Sequence, residues 1–261
     1  MVAPLVSPSS VGHVLEHHVR QARKTWMSLV ISGFLNPVFT MLALGWGVGS
    51  LVGDESSLGT EDYLHFVGPG VLVGTVMLQG SFFSLWDALG ALRWEGMYKN
   101  SVRTPASYVD VLTGRLAWGF TRFLFSSSAF LVVLLIVIGW SGWTALLTPL
   151  VAALTGIATS AAFLAYTSGQ ETDKGFAILS RLIASPLFVF SGTFTPVDLL
   201  PTAVQVVVKL FPGYHGIEVT RDLINARAEL VPSLGHMAVV LVWVLGGWLL
   251  SQRGFEKALT S

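Results

Sequence analysis

Four carboxylates that lie close together are the first candidates for chemistry. Asp54, Glu55, Glu61 and Asp62 occupy a short polar segment between two long apolar stretches. A membrane-embedded enzyme that acts on lipids would need such acids beside a base or a nucleophile. His65 is the only histidine near them, and a solvated acidic loop explains the group more simply. We therefore expect no catalytic residue in this segment.

Three histidines near the N-terminus are the candidates for a metal site. His13 and His17 are four residues apart and would share one face of a helix, with His18 beside them. A metal site would recruit a cluster of carboxylates or cysteines. The chain has no cysteine, and no carboxylate cluster accompanies these histidines. Surface histidines are the simpler interpretation, and we expect no metal site.

Motifs for nucleotide binding or for nucleophilic catalysis are absent from the chain. It contains no G-x-x-x-x-G-K-[ST] segment, which would cradle nucleotide phosphates, and no H-E-x-x-H or G-x-S-x-G motif. We therefore expect neither a cofactor nor an enzymatic activity in this chain.

The composition is that of a membrane protein. Of 261 residues, 52% are hydrophobic and 11% are charged, whereas a soluble domain carries about 25% charged residues. The mean hydropathy is +0.67. The 15 basic and 15 acidic residues balance, so no net positive field would attract a nucleic acid. These numbers predict an all-α, polytopic membrane protein and exclude a soluble enzyme, a disordered chain and a nucleic-acid binder.

Six stretches approach the roughly 20 apolar residues that bridge about 30 Å of hydrocarbon. They cover residues 27–51, 64–85, 116–140, 143–166, 176–194 and 234–250. The first is too long for the apolar core of a signal peptide, so we interpret it as a retained span. Only Ser141 and Gly142 separate the third stretch from the fourth. The predicted organisation is a single transmembrane domain over 1–261 with six transmembrane helices.

The basic residues predict the orientation of the chain. Most of them precede the first span, lie between spans two and three or four and five, or follow span six, as with Arg23, Arg93, Lys174 and Arg253. The loop after span one contains no basic residue. Because cytoplasmic loops carry the excess of lysine and arginine, we expect a multi-pass protein of the cytoplasmic membrane with both termini cytoplasmic.

Residues 11–26 form a segment that does not cross the membrane. Val11, Val14 and Val19 recur at helical spacing, whereas Glu16 and Arg20 fall on the opposite side. One interpretation is an interfacial helix that lies flat on the membrane, with its cations near anionic headgroups of the lipids. The other is a basic flank that only sets the topology.

Residues 87–114 form the longest predicted cytoplasmic connection. Its centre combines aromatic residues with charges of both signs, and Pro105 would end a short helix there. Aromatic residues and arginine dominate the binding energy at protein interfaces. A docking helix for a cytosolic partner and an amphipathic connector resting on the membrane both fit this pattern.

Residues 195–232 are predicted to lie on the outer side. Prolines divide the segment, and the apolar helix between Pro201 and Pro212 is too short to cross a bilayer. A re-entrant helical hairpin, which dips into the membrane and returns, keeps its backbone hydrogen bonds satisfied. Glu218 and Arg221 are three residues apart near its mouth and can form an ion pair.

Arg122 lies about two helical turns inside the predicted third span. An intramembrane charge is a functional candidate, but this side chain can also reach the interface by snorkelling or pair with Asp87 or Asp110. Ion-coupled carriers need buried carboxylates in mid-membrane, and the spans contain none. The energy for any uphill transport must therefore come from another protein.

The order of these parts resembles the permease of type-2 ABC exporters. Phe66-Val67-Gly68-Pro69-Gly70 is similar to the start of span two in that family. Residues 191–201 resemble its span-five exit, and Phe211-Pro212-Gly213-Tyr214 with Arg221 resembles its outer motif. Arg93-Trp94-Glu95 with Tyr98 and Thr104-Pro105 looks most like the branch of nodulation lipo-oligosaccharide exporters. Daunorubicin-type drug exporters form the neighbouring branch.

The resemblance implies that two permease chains, either identical or sister chains, enclose a translocation path above two cytosolic ABC ATPase subunits. Those subunits would bind the ATP and Mg²⁺, and the surrounding partners would be membrane lipids. The loop would contain the coupling helix, with ATPase contacts from Arg93, Trp94, Glu95, Met97, Tyr98, Lys99 and Arg103. An extracellular gate would include Pro212, Gly213, Tyr214, Glu218 and Arg221.

The family likeness places the substrate path among spans one, two and five. Its candidate lining residues are Phe34, Phe39, Trp46, Phe82, Phe83, Phe188 and Phe190. Such a lining suits a lipid-linked saccharide, a lipid or an amphiphilic drug better than an ion. The alternatives are a non-transporting membrane scaffold or sensor, and a membrane-embedded lipid-modifying enzyme.

Overall fold

The structure is a computed structural model that describes residues 6–22, 27, 38–40, 42–43, 63–94, 107–140 and 142–260. These residues are almost entirely helical, and no β-strand occurs among them. We number the helices as α1 Pro8–Ala22, α2 Tyr63–Leu89, α3 Tyr108–Ile138, α4 Thr148–Thr167, α5 Phe176–Phe190, α6 Thr202–Leu210, α7 Pro212–Ile224 and α8 Leu230–Thr260. The all-α prediction is confirmed for this part of the chain.

Four helices of the described residues are long and apolar enough to cross a membrane. They are Tyr63–Arg93, Tyr108–Ile138, Trp143–Thr167 and Leu230–Leu259. They correspond to the predicted second, third, fourth and sixth spans. The second, third and sixth are extended by a turn or more at one end or both, and the fourth by a single residue. Nearly all of the first predicted span lies outside the described residues, and α5 is shorter than a full span. The total of six spans therefore stays a prediction.

Two glycines separate α3 from the helix that follows. Gly139 ends α3 with a φ of +87°, and Gly142 has a φ of +131°. Residues with a side chain rarely adopt such angles, because the Cβ atom meets the backbone. The chain therefore turns between two spans that a hydropathy pattern alone could join into one. A 3₁₀ turn, Trp143–Leu147, then leads into α4.

The short helix α5 is irregular in its middle. It consists of α-helical Phe176–Leu179, a wider π-helical turn Ser180–Ala184, and α-helical Ser185–Phe190. Pro186 lacks the N–H that would bond to the fourth residue before it, and π-helical turns commonly accompany such interruptions. The Ser185 hydroxyl donates to the carbonyl of Ser180 at 3.0 Å, which satisfies one acceptor at this irregularity.

Helix α4 lies at the centre of the bundle and contacts α2, α3, α7 and α8. Small residues allow the closest approach: a Cβ atom on Gly80 would lie 2.6 Å from the carbonyl oxygen of Gly156. Hydroxyl groups of Ser84 and Ser160 share a hydrogen bond of 2.5 Å across the same interface. Small residues and hydroxyl groups are the usual means of helix association in membranes, because lipid tails are as apolar as leucine.

The N-terminal helix α1 packs on the first turns of α3. It begins at Pro8, three residues before the predicted start, and its described part ends at Ala22. The backbone N–H of Ser7 donates to the Asp110 carboxylate at 2.7 Å, and a Cβ atom on Gly114 would lie 2.7 Å from Val14. The His18 ring is buried and stacks on Trp118, so this histidine is not the surface residue that we expected. The position of α1 at a membrane interface stays a prediction.

Helices α6 and α7 lie between α5 and α8, in the segment 195–232. Each begins beside a proline, Pro201 for α6 and Pro212 for α7, which suits the first helical turn because its N–H groups have no partner there. Helix α6 has 9 residues and α7 has 13, so neither can cross a bilayer. The short helix predicted between Pro201 and Pro212 is present as α6, and the re-entrant course of the segment stays a prediction.

The contacts define two ends of the bundle. At the Arg93 end, the Arg93 guanidinium donates to the carbonyl of Gln170, α1 lies on Gly114, and Gly254 packs against Ser168. The C-terminal end of α8 and the turn Gly90–Trp94 that follows α2 therefore lie at the same end of the bundle. At the other end, which we call the Arg221 end, α2 begins and α7 packs against it.

Candidate functional site

A groove with a volume of about 760 Å³ lies between α2, α5 and the short segment around Phe39. We call it the α2–α5 groove. It is lined by Phe39, Thr40, Ala43, Val71, Thr75, Leu78, Gln79, Phe82, Phe83, Asp87, Arg122, Phe188 and Phe194. Its volume lies within the range of sites that bind drug-sized molecules.

Most of the groove wall is aromatic or aliphatic. The Phe188 ring packs directly against Gly74 of α2, where a Cβ atom would collide with it. The same ring meets Phe194 edge-on, with 5.5 Å between the ring centroids. Phe82 is 54% exposed and stacks on Trp86 at 5.0 Å. This wall offers several ring faces to an apolar ligand.

One end of the groove is charged. A guanidinium nitrogen of Arg122 lies 3.4 Å from the Asp87 carboxylate, and the two side chains are 34% and 55% exposed. The guanidinium also lies 5.4 Å from the centroid of the Phe83 ring. Such an exposed ion pair contributes about 0–1 kcal/mol to stability. Its donors and acceptors can therefore exchange partners with a ligand at little cost to the fold.

A second arginine supports this end from inside the bundle. Arg115 is almost fully buried, and its guanidinium lies 4.1 Å from the centroid of the Phe83 ring and donates to the Phe83 carbonyl. The buried Phe83 ring also meets Phe123 edge-on at 5.8 Å. Phe83 is thus held in place by its neighbours, which fixes the wall beside Arg122.

The predicted path residues are only partly described. Four of them, Phe39, Phe82, Phe83 and Phe188, line the α2–α5 groove. Phe190 is half-exposed on α5 and does not line it, and its role in the path stays a prediction. Phe34 and Trp46 lie outside the described residues.

Sequence reasoning missed several lining residues, including Gln79 and Phe194. The Gln79 amide donates to the Ser126 hydroxyl at 2.9 Å and joins α2 to α3. An amide in the middle of an apolar span was the available signal, because such groups seek partners inside the bundle. Nothing in the sequence distinguished Phe194 from other aromatic residues near a helix end.

A second arrangement surrounds Arg221 at the opposite end of the bundle. Its guanidinium donates to the Glu218 carboxylate at 2.6 Å, to the Gly192 carbonyl at 2.5 Å and to the Phe66 carbonyl at 3.3 Å. It also lies 4.0 Å from the centroid of the Phe66 ring. We call Phe66, Gly192, Glu218 and Arg221 the Arg221 cluster. It joins α7 to α2 and to the chain after α5.

Glycines let the same three segments come together. A Cβ atom on Gly70 would lie 2.8 Å from the backbone of Thr193, and one on Gly213 would lie 3.1 Å from the Ser191 hydroxyl. Gly192 has a φ of +93°, which strongly favours glycine. The start of α2, the exit of α5 and the start of α7 are thus in direct contact, although they are distant in sequence.

Burial governs the titration of groups in this region. It raises the pKa of Glu218, and the neighbouring Arg221 opposes that shift. Burial also raises the pKa of the Tyr214 phenol to about 12, aided by the negative charge of Glu218. Arg221 therefore offsets part of the cost of burying the Glu218 carboxylate, and removing the guanidinium would leave that acid unpaired.

The predicted gate residues lie in this region. Glu218 and Arg221 form the ion pair that their spacing suggested. Gly213 packs on Met77 and Ser191, Pro212 is buried at the start of α7, and Tyr214 meets the His215 ring. Whether these residues gate a path stays a prediction.

The predicted coupling residues are mostly outside the described part of the chain. Glu95, Met97, Tyr98, Lys99 and Arg103 lie there, as do the acidic residues 54, 55, 61 and 62. Only the backbone of Trp94 is described, as the end of the π-helical turn that begins at Gly90. Arg93 is the coupling residue whose side chain can be located, and it bonds to Gln170.

Metal chemistry finds no support in the described residues, where no three His, Cys, Asp or Glu side chains come together as a metal site requires. The groove presents ring faces, one guanidinium, one carboxylate, one amide and the hydroxyl groups of Thr40 and Thr75. These groups can bind and orient an amphiphile, and they do not form an acid–base or nucleophilic centre.

Comparison with known families decides what kind of protein contains this groove. Residues 10–225 match the family model described as ABC-2 type transporter. The chain belongs to the ABC-2 type transporter family. The match covers α1 to α7, so both the α2–α5 groove and the Arg221 cluster lie within the family's common region. The chain is therefore a membrane-embedded transporter subunit and is not itself catalytic.

Several relatives of this ABC-2 chain carry the name nodulation protein J. The protein from Rhizobium leguminosarum bv. viciae is 24% identical over 238 residues, which are 91% of this chain and 90% of the relative. The Rhizobium meliloti protein is 26% identical over 202 residues, or 77% and 76% of the two chains. The Sinorhizobium fredii protein is 24% identical over 240 residues, or 92% and 90%. The likeness thus extends over nearly the whole chain.

Proposed function

We propose that this chain is the permease subunit of an ATP-driven exporter that moves an amphiphile across the cytoplasmic membrane. The α2–α5 groove is the observation that carries the proposal. It combines a long apolar wall with one charged end, which matches a molecule that has a hydrocarbon body and a polar head. The candidate substrates are a lipid-linked saccharide, a lipid or an amphiphilic drug.

Different residues of the groove would contact different parts of the substrate. The rings of Phe82 and Phe188 would contact the apolar body of the substrate, which favours removal of that body from water or lipid. Arg122, Asp87 and Gln79 would replace part of the hydration of the polar head. Because both charge signs are present, neutral heads with many hydroxyl groups, such as sugars, can be accommodated by hydrogen bonds to both.

The energy would come from two cytosolic ATPase subunits that bind ATP and Mg²⁺ and dock at the Arg93 end. The family generally works with such a subunit, and the loop that follows Arg93 is the proposed docking segment. Two permease chains would enclose the path, and closure of the ATPase subunits would alternate its access between the two sides. This arrangement places both chain termini in the cytoplasm.

A matched pair of variants tests the groove. Phe82→Ala removes a half-exposed ring from the groove, and Phe125→Ala removes a similarly exposed ring of α3 that does not line it. In vesicles containing the permease and its ATPase subunits, Phe82→Ala should raise the amphiphile concentration needed for half-maximal stimulation of ATP hydrolysis. Phe125→Ala should leave it unchanged. Equal effects of the two variants would contradict a substrate role for the groove.

The orientation can be tested with single cysteines, since the chain has none. Lys209 of α6 and Glu171 after α4 are both exposed and lie toward opposite ends of the bundle. In intact cells, an impermeant thiol reagent should label Lys209→Cys, whereas Glu171→Cys should react only after lysis. The reverse pattern would overturn the proposed orientation and, with it, ATPase docking at the Arg93 end.

Purification in mild detergent tests the dependence on a partner. A near-equimolar protein with a nucleotide-binding motif should accompany the permease, and ATP hydrolysis should reside in that protein. A chain that purifies without such a partner and responds to ligand alone would instead support a membrane sensor or scaffold.

A further inference from the structure

A second cavity, with a volume of about 170 Å³, lies on the other side of α5 from the α2–α5 groove. Its two long walls are faces of α4 and α5. Leu179, Ile183 and Leu187 recur every fourth residue on α5 and extend over about 12 Å of helix. Ala162 and Tyr166 belong to the facing wall on α4. We call this narrow cavity the α4–α5 slot.

Residues outside α4 and α5 complete the lining of the slot. They include Phe211 and Pro212, where α7 begins, and Trp243 of α8. Phe211 and Trp243 stack on each other at 5.4 Å. Met77 of α2 also lines the slot. Aromatic and aliphatic side chains therefore form most of its wall.

The hydroxyl and indole groups in the slot wall are few, and they belong to Thr159, Tyr166 and Trp243. The Thr159 hydroxyl donates to the Thr155 carbonyl at 3.0 Å, and the Trp243 indole N–H donates to the Leu210 carbonyl at 2.9 Å. A buried water needs two to four polar partners, which these committed groups do not supply. An apolar cavity of about 150 Å³ in another protein stays free of water and binds benzene. The slot therefore favours hydrocarbon over water.

The slot also has access to the flank of the bundle. Ile183 and Tyr166 are 41% and 37% exposed, and Ile178 and Leu182 beside them on α5 are more exposed still. In a membrane-embedded transporter, apolar side chains on such a flank face lipid tails. A linear hydrocarbon can enter from this side and lie along α4 and α5.

We propose that the α4–α5 slot binds an acyl chain of a membrane phospholipid. The bound chain fills the space beside the π-helical turn of α5, so that this interrupted helix can shift without leaving a void in the bundle. Voids are unfavourable because the atoms lining them lose their contacts. The slot is separate from the α2–α5 groove, and the lipid in it is a resident component and not the transported molecule.

Photochemical labelling tests this site directly. The purified chain is placed in lipid nanodiscs that contain a phospholipid with a diazirine on one acyl chain, irradiated, and mapped by peptide mass spectrometry. Labels should concentrate on the slot-lining parts of α4 and α5, above the level at Leu245, an exposed lipid-facing candidate on α8. Labelling of the slot at or below the level at Leu245 would overturn the proposal.

Two variants and one control make the result specific. Ala162→Phe fills the slot and should abolish labelling there, while Leu150→Phe, at a half-exposed position of α4 outside the slot, should leave it unchanged. Leu187→Ala enlarges the slot and should increase labelling, so the proposal can still be tested if Ala162→Phe does not fold. Unchanged labelling in Leu187→Ala, or in a folded Ala162→Phe protein, would contradict it.

The competing occupant of this flank is a second copy of the chain. A single cysteine in the Ile183→Cys variant distinguishes the two, because the native chain has no other thiol. Under oxidising conditions in nanodiscs, this variant should remain monomeric on a non-reducing gel. A disulfide-linked dimer would mean that protein covers the slot, and the lipid proposal would be wrong.

Discussion

The α2–α5 groove and the Arg221 cluster each contain an arginine near a phenylalanine ring and a carboxylate, but the two sites differ in how firmly the arginine is held. Arg221 has an ion pair of 2.6 Å, two carbonyl acceptors and a side chain only 12% exposed. Arg122 has one ion pair of 3.4 Å and is 34% exposed. The same residue types thus form a structural junction around Arg221 and an accessible surface, the proposed binding surface, around Arg122.

The difference follows from the number of backbone acceptors. At the Arg221 cluster, three segments converge closely enough for backbone carbonyls to surround the guanidinium. At the groove, the Phe83 carbonyl accepts from Arg115 inside the bundle, and Arg122 donates to the Asp87 carboxylate. Arg122 therefore keeps donors that a ligand can reach. Separate mutations of Arg221 and Arg122 should therefore differ in their effects, with a larger loss of stability for Arg221.

Arg221→Ala should produce the largest loss of stability. Removing Arg221 leaves the charge of the partly buried Glu218 unpaired, which costs up to about 3 kcal/mol. Thermal unfolding in detergent should show a clearly lowered midpoint. Adding Glu218→Gln to this variant should restore part of the loss, because the unpaired acid is then gone. A midpoint equal to that of the unmodified chain would show that the cluster does not hold the end together.

Gly70→Leu should produce the second-largest loss of stability. It disrupts the packing of the same junction, whereas Arg221→Ala removes a charge there. A side chain there meets the backbone of Thr193, which cannot move away as a flexible side chain can. Overpacking of this kind costs about 1–3 kcal/mol. The matched control is Gly246→Leu in α8, where a Cβ atom would have no neighbouring atom of the described residues within 4 Å. Equal melting midpoints for the two variants would contradict the close contact.

Arg122→Ala should have the smallest effect on stability and a clear effect on function. An exposed ion pair contributes about 0–1 kcal/mol, so the unfolding midpoint should hardly change. Stimulation of ATP hydrolysis by an amphiphile should weaken in the reconstituted complex, and Arg122→Lys should retain part of it. A large drop in the midpoint, or full stimulation in Arg122→Ala, would remove the distinction between the two arginines.

Several elements were predictable because their causes are local in the chain. Continuous apolar runs predicted four of the helices that are long enough to cross a membrane. Proline positions predicted the divisions between α5, α6 and α7. The spacing of Glu218 and Arg221 predicted their ion pair, because residues three apart are neighbours on a helix.

Other predictions depended on information that a linear pattern lacks. His18 was expected at the surface, but it stacks on Trp118 because α1 packs on α3. The third and fourth spans are separated by two glycines whose positive φ angles are not visible in hydropathy. The lining of the α2–α5 groove by Gln79 and Phe194 follows from how α2 and α5 face each other.

Composition and the lengths of the apolar runs were enough to establish an all-helical membrane chain, because the cost of exposing backbone and charge to hydrocarbon acts on each segment separately. They could not place Arg221 beside Phe66, since 155 residues separate the two. That contact, the groove and the α4–α5 slot arise only when the helices pack. Which faces meet depends on the shapes of many side chains together, and above all on where glycine lets two backbones approach.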